Sequence, residues 1–189
     1  MLSPLISLFR DLNTVFEQVS SRWYVFGAQA AIIHGGARLT ADVDVTVMYG
    51  NRNPDDLLTK LKANNFSIRP DNPVEFIENT RILPVKHSIS GIPVDIVFGG
   101  PGLEEEFILR TRHYDIEGVK VPVVSAEDLV VMKILSGREK DLDDVSSIIT
   151  AQLENLDLDF IRSLLDRLEA ALVRSDLVPL LEELVMGGK

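Results

Sequence analysis

The stretch Tyr24–Val47, YVFGAQAAIIHGGARLTADVDVTV, constrains this chain more than any other. It reads as a strand that turns at Gly27 into a short helix, Ala28 to Ile33, ended by Gly35-Gly36. A second strand follows, carrying Asp42 and Asp44. Strand side chains alternate, so these two carboxylates share a face while Val43, Val45 and Val47 point the other way into a core. Two like charges side by side are costly, and a divalent cation is the commonest reason to place them so. The competing reading is an exposed strand end whose aspartates sit in water or cap a turn.

The turn carries chemistry too. A strand that turns at glycine into a helix aims free backbone N–H groups and the positive helix end outward, where a phosphate can sit. Many α/β units share that turn, so it is weak evidence alone. Arg38 and Thr40 then lead into the Asp42 strand. Arg38 suits a phosphate clamp or, equally, a salt bridge to one of the aspartates.

Ser3-Pro4 opens a helix with Leu5, Phe9, Leu12, Phe16 and Val19 on one stripe. Asp55 to Lys62 is an amphipathic helix with Leu57, Leu58 and Leu61 inward, and Asn64-Asn65 breaks it. From Phe66 to Phe98 the pattern becomes strand-like, with a loop at Pro70 to Pro73 and an edge strand implied by Pro84. After a turn at Ser90-Gly91, Pro93, Asp95 and Val97 share one face and Val94, Ile96 and Phe98 the other. Asp95 is therefore a lone acid in an apolar strand, costly unless paired or metal-bound. It becomes a third partner for Asp42 and Asp44 if the two strands are neighbours; otherwise it is a surface-edge aspartate.

Leu103 to Leu109 forms a short helix, and Tyr114 to Val124 a hairpin turning at Glu117-Gly118. Ser125-Ala126-Glu127-Asp128 opens the helix of LVVMKIL. Its Lys133 either snorkels to the surface, the plainer reading, or aims at an anion. After Gly137, a helix from Arg138 to Thr150 carries Asp141 and Asp144 on one face, which by default is a solvated charge run. Two helices close the chain. Ile161, Leu164, Leu165, Leu168 and Leu172 stripe the first, capped by Asp157, and Leu177 to Val185 makes the second.

The totals exclude several classes. At 189 residues the chain supports one domain: a core over residues 1–150, with C-terminal helices, 151–189, packed on it. No apolar run spans a membrane, and the N-terminus lacks the pattern of a secretory signal, so a cytoplasmic location is expected. Without cysteine, thiolate metal sites are impossible, and His34, His87 and His113 sit in no metal-ligand spacing. The net charge is −10, and −7 of it falls from Ser125 onward, which disfavours a broad nucleic-acid-binding face there. No serine-nucleophile motif is present.

Four stretches, GAQAAIIHGGAR, RLTADVDV, VDIVFG and VVSAEDLVVMKILSGREKDLDDV, together resemble the nucleotidyltransferase superfamily, and more closely its bacterial AbiEii-type toxin branch. The resemblance covers most of residues 24–148. It implies an α+β fold, a mixed sheet flanked by helices with a helical C-terminal portion. It also implies metal-dependent transfer of a nucleoside monophosphate from a nucleoside triphosphate. Asp42, Asp44 and Asp95 resemble the family's Mg²⁺ (or Mn²⁺) ligands and catalytic carboxylates. Gly27 and Ala28 match its Gly-Ser turn at the phosphates, with the serine hydroxyl absent. Arg38, Thr40 and Lys133 resemble residues near the triphosphate, and Asp141 the acid supporting that lysine. The acceptor is left open among RNA, protein and small molecules. The branch implies a toxin held by an antitoxin protein. A nucleotide-binding or interaction module that has lost catalysis is the alternative, favoured by Ala28 and opposed by the three aspartates.

Overall fold

The computed structural model describes residues 3–36 and 40–187. In chain order the first elements are α1 (Pro4–Gln18), β1 (Trp23–Phe26), α2 (Gly27–Ile33), β2 (Val43–Val47), α3 (Asp55–Ala63), β3 (Phe66–Ile68), α4 (Pro73–Thr80), β4 (Ile82–His87) and β5 (Pro93–Phe98). There follow α5 (Leu103–Arg110), β6 (Arg112–Ile116), β7 (Val119–Val123), α6 (Ala126–Ser136), α7 (Glu139–Gln152), α8 (Leu158–Leu172) and α9 (Leu177–Gly187). The chain gathers into two compact units, Met1–Gly27 with Thr40–Val124, and Ala28–Leu39 with Ser125–Lys189.

The first unit is built on a mixed sheet in the order β3-β4-β5-β2-β1-β7-β6. The β2–β5 and β1–β7 pairs are parallel and the others antiparallel. The alternating valines of β2 do what their spacing requires: Val43, Val45 and Val47 are fully buried. Helix α1 starts where Ser3 Oγ accepts from the Ile6 N–H with Pro4 in the first turn. It lies against β7 and α3 and buries Leu8, Leu12, Val15 and Phe16 completely. Each such side chain contributes about 1.5–3 kcal/mol of transfer free energy. The β6–β7 hairpin turns at Glu117 (φ +50°) and Gly118 (φ +86°), the left-handed pair that a two-residue hairpin requires.

Two expectations for residues 66–98 are corrected. Residues 73–80 form the helix α4 and no part of a strand. Proline enters the first turn without losing a helical bond, Glu75 favours the positive helix end, and Ile77 is the residue it buries. Pro84 does not mark an edge, since β4 runs between β3 and β5. Its carbonyl accepts from the Arg69 N–H, just past the last residue of β3. A strand residue's N and O point the same way, so the missing N–H falls where the β3 ladder has ended, and β5 loses no bond.

The second unit is helical. Helix α6 touches α7, α8 and α9 and buries Ala126, Asp128, Leu129, Val130, Val131, Lys133 and Ile134, residues on every side of it. A helix apolar all round is a central one, which is why LVVMKIL lacks a polar face. Ser125 caps it, with Oγ accepting from the Asp128 N–H at 3.1 Å. In α8, Ile161, Leu164, Leu165 and Leu168 are the buried stripe, and Asp157 accepts from the Phe160 N–H at 2.8 Å. The turn after α2 packs on α7: a Cβ on Gly35 would stand 2.4 Å from that of Ala151, and Gln152 donates to the His34 carbonyl. Among the described residues no helix is long and apolar enough to cross a membrane.

Candidate active site

Strands β2 and β5 are parallel neighbours with Asp44 directly opposite Asp95. Partners at one register position point to the same face, and neighbouring strands lie about 4.8 Å apart. The row continues outward, with Phe26 opposite Asp44 on β1 and Pro84 opposite Asp95 on β4. Two half-buried carboxylates thus stand side by side between an aromatic ring and a proline. Asp42 lies one residue before β2 and is exposed. Its carboxylate accepts a hydrogen bond from the Thr40 hydroxyl.

Gly27 is shaped around Asp44. Its φ is +67°, and a Cβ built on it would lie 2.1 Å from Asp44 Oδ2 and 2.9 Å from Cγ. The carboxylate occupies the space that any other residue would fill. Glycine here therefore permits the strand-to-helix turn and also clears room for the acid. Gly27→Ala should lower stability by more than the roughly 1–2 kcal/mol of a left-handed alanine, because the Asp44 side chain must move as well. Thermal denaturation measures the first effect, and loss of any ligand response that depends on Asp44 measures the second.

A hard oxygen donor set of this kind suits Mg²⁺ or Mn²⁺, which bind one or two carboxylates and complete their shells with water and phosphate oxygens. Among the described residues no three His, Asp or Glu side chains converge to hold a metal ion by themselves. The register supplies the Asp44–Asp95 pair, and Thr40 engages Asp42. Arg38 lies outside the described residues. Ala28, the second residue of α2, is buried.

In the helical unit, Lys133 and Asp141 depart from two default readings. Lys133 is only 4% exposed and does not snorkel. Its ammonium donates to Asp141 Oδ1 at 3.0 Å and Asp144 Oδ2 at 2.7 Å. The i, i+3 aspartates of α7 therefore form a buried acidic face rather than a solvated one. The other Asp141 oxygen accepts from Ser136 Oγ at 2.7 Å and from Arg138 Nε at 2.5 Å. Burial would raise the Asp141 pKa, but the hydrogen bonds from Ser136, Arg138 and Lys133 outweigh it and hold the carboxyl at about 2. A depressed carboxylate stabilises the fold above its unfolded pKa, and that contribution is lost as pH falls through the folded value. Asp141 should thus contribute about 2 kcal/mol at neutral pH that disappears between about pH 4 and pH 2. Acid denaturation of Asp141→Asn against wild type should show the difference shrinking across that window.

Beside the carboxylate row opens a cleft of about 760 Å³, lined by residues from Arg69 to Thr80 together with Pro84 and Asp95. The sequence suggests a loop at Pro70 to Pro73 and no site residue between Arg69 and Thr80. The signal was Asn72-Pro73-Val74-Glu75, a helix start that would have placed α4 and its side chains at this wall. His87, by contrast, is a packing residue: buried, beside Phe66, and bonded to Asp11 Oδ2 at 2.9 Å and Ser90 Oγ at 2.7 Å.

The mixed α+β fold is that of nucleotidyltransferases. A structure titled as lincosamide antibiotic adenylyltransferase LnuA, lincomycin-bound, aligns with a TM-score of 0.52 at 17% identity over 75% of this chain and 94% of that one. The antibiotic-resistance factor ANT(2'')-Ia aligns with a TM-score of 0.59 at 13% identity, covering 91% of this chain and 96% of that one. An antigenic nucleotidyltransferase-like protein from Paracoccidioides brasiliensis aligns with a TM-score of 0.55 at 19% identity, covering 93% and 91%. At these identities the likeness is one of fold. The family described as "Nucleotidyltransferase of unknown function (DUF6036)" matches residues 3–177, and the chain belongs to it. No curated protein sequence matches the chain.

Proposed function

We propose that the protein transfers a nucleoside monophosphate from a nucleoside triphosphate to an acceptor hydroxyl, with two Mg²⁺ or Mn²⁺ ions shared among Asp42, Asp44 and Asp95, each ion taking one or two of these carboxylates and completing its shell with water and phosphate oxygens. The observation that carries this reading is the in-register Asp44–Asp95 pair, set against a glycine whose missing side chain makes room for Asp44. A cation bound there would neutralise the triphosphate and the charge that develops on the attacking and leaving oxygens. The remaining roles belong to the chain. Asp95 faces the open cleft and takes the proton of the acceptor hydroxyl. The acceptor oxygen bonds to the α-phosphorus, the bond to the β-phosphate oxygen breaks, and pyrophosphate leaves. Gly27 and Ala28 hold the phosphates by backbone N–H alone, since Ala28 brings no hydroxyl. Thr40 orients Asp42. The resemblance alone assigns Arg38 and Lys133 to the triphosphate; the Lys133 ammonium bonds Asp141 and Asp144.

The test is pyrophosphate release from each nucleoside triphosphate with Mg²⁺ and candidate acceptors, comparing wild type with Asp95→Asn. The reading expects release from wild type that the variant loses. Triphosphate binding by wild type with no pyrophosphate under any acceptor would replace transfer with a binding-module role, the reading that Ala28 favours. The toxin role with its antitoxin rests on the resemblance of the R-x-T-x-D-x-D and K-x(4)-R-x-K-D-x-x-D elements. It predicts growth arrest on expression, relieved by Asp44→Asn.

A further inference from the structure

The cleft next to Asp95 has a chemistry of its own. Its volume, about 760 Å³, lies within the range of small-molecule sites. Its titratable lining is Asp71, Glu75 and Asp95 against one guanidinium, Arg69. Among the described residues neither Asp71 nor Glu75 takes part in an ion pair. Glu75 stands in the first turn of α4, where the helix dipole favours a negative charge without a partner. Phe76 lines the same cleft and is 37% exposed, although an aromatic ring gains most from burial. Pro84 and Asp95 are opposite each other on β4 and β5, so this wall runs directly into the carboxylate row.

Excess carboxylate repels phosphate, and an open aromatic face beside carboxylates is the arrangement that holds an organic ammonium by cation–π and charge attraction together. We infer that this cleft is the acceptor subsite and that the acceptor is a small organic molecule carrying an ammonium group and the nucleophilic hydroxyl. The ammonium lies against Asp71, Glu75 and Phe76, which leaves the hydroxyl to Asp95. The inference rests on the transfer reading for the word acceptor. The occupancy of the cleft by an organic cation does not.

The test uses neither nucleotide nor metal. Backbone amide NMR shifts are followed while choline, spermidine, glucose or inorganic phosphate is titrated into wild type, Asp71→Asn/Glu75→Gln and Phe76→Ala. Choline and spermidine should shift the amides of residues 69–80 in wild type, and glucose and phosphate should not. The double variant should bind spermidine at least about tenfold more weakly, a loss of about 1.4 kcal/mol. Phe76→Ala should weaken choline. Cation shifts scattered over the acidic surface but absent from 69–80 would overturn the inference. So would phosphate occupying that segment, or a double variant that binds like wild type. Failure here leaves pyrophosphate release unaffected as a test of transfer, and absence of pyrophosphate leaves these titrations interpretable.

Discussion

Asp44→Asn is expected to lower nucleotidyl transfer by about a thousandfold while leaving the melting temperature within a few degrees of wild type. On the proposed mechanism the catalytic effect follows from removing one charge of a donor pair that meets charge developing in the transition state, where losing a single preorganised group costs a factor of about 10²–10³ and a metal ligand at least as much. The small effect on stability follows from shape and charge. Asn keeps the volume that sits over Gly27, where a Cβ would stand 2.1 Å from the Asp44 oxygen. It also relieves the repulsion with Asp95 at the same register position. Pyrophosphate release and circular dichroism on the same preparations check both halves. A variant that is folded and still active would remove Asp44 from the machinery.

Lys133→Met is expected to do the reverse, striking stability first. The methionine fits an apolar helix well, but it leaves Asp141 and Asp144 facing each other in the interior without their shared cation. Removing one partner of a buried ion pair costs about 3–5 kcal/mol. For a chain of this size that is a fall of roughly 10 °C in melting temperature. Replacing all three at once, Lys133→Met with Asp141→Leu and Asp144→Leu, should recover much of the loss, since a well-packed apolar trio avoids the desolvation that the charges incur. Denaturant unfolding of the single and triple variants measures both. A single variant as stable as wild type would mean that the network is not held as tightly as its 2.7 and 3.0 Å bonds require.

What could be read from the sequence, and what could not, divides along physical lines. Local signals held: the valine alternation of β2, the glycine turn into α2, the Ser3 and Ser125 caps and the Glu117-Gly118 hairpin all appear where their chemistry puts them. Each depends only on residues a few positions apart. The pairing of Asp44 with Asp95 depends on which strands lie side by side, and spacing cannot fix that; the sequence supported only the conditional statement. Asp141 and Asp144 were correctly placed on one helix face, but whether that face is wet is decided by α6. The continuous apolar run around Lys133 already implied a helix buried all round, and a lysine inside it must find carboxylates. Helix α4 was missed because Val74, Phe76 and Ile77 among prolines resemble a broken strand more than a short helix with one buried residue.

The central claim is that the carboxylate row holds a metal-bound triphosphate. It is tested most directly by thermal unfolding with each of the four nucleoside triphosphates, with and without Mg²⁺, on wild type and on Asp42→Asn/Asp44→Asn. A triphosphate at about 100 times its dissociation constant should add about 2.7 kcal/mol to wild type. That gain should require Mg²⁺ and vanish in the double variant. No stabilisation by any triphosphate, or an equal gain in the variant, would contradict the account.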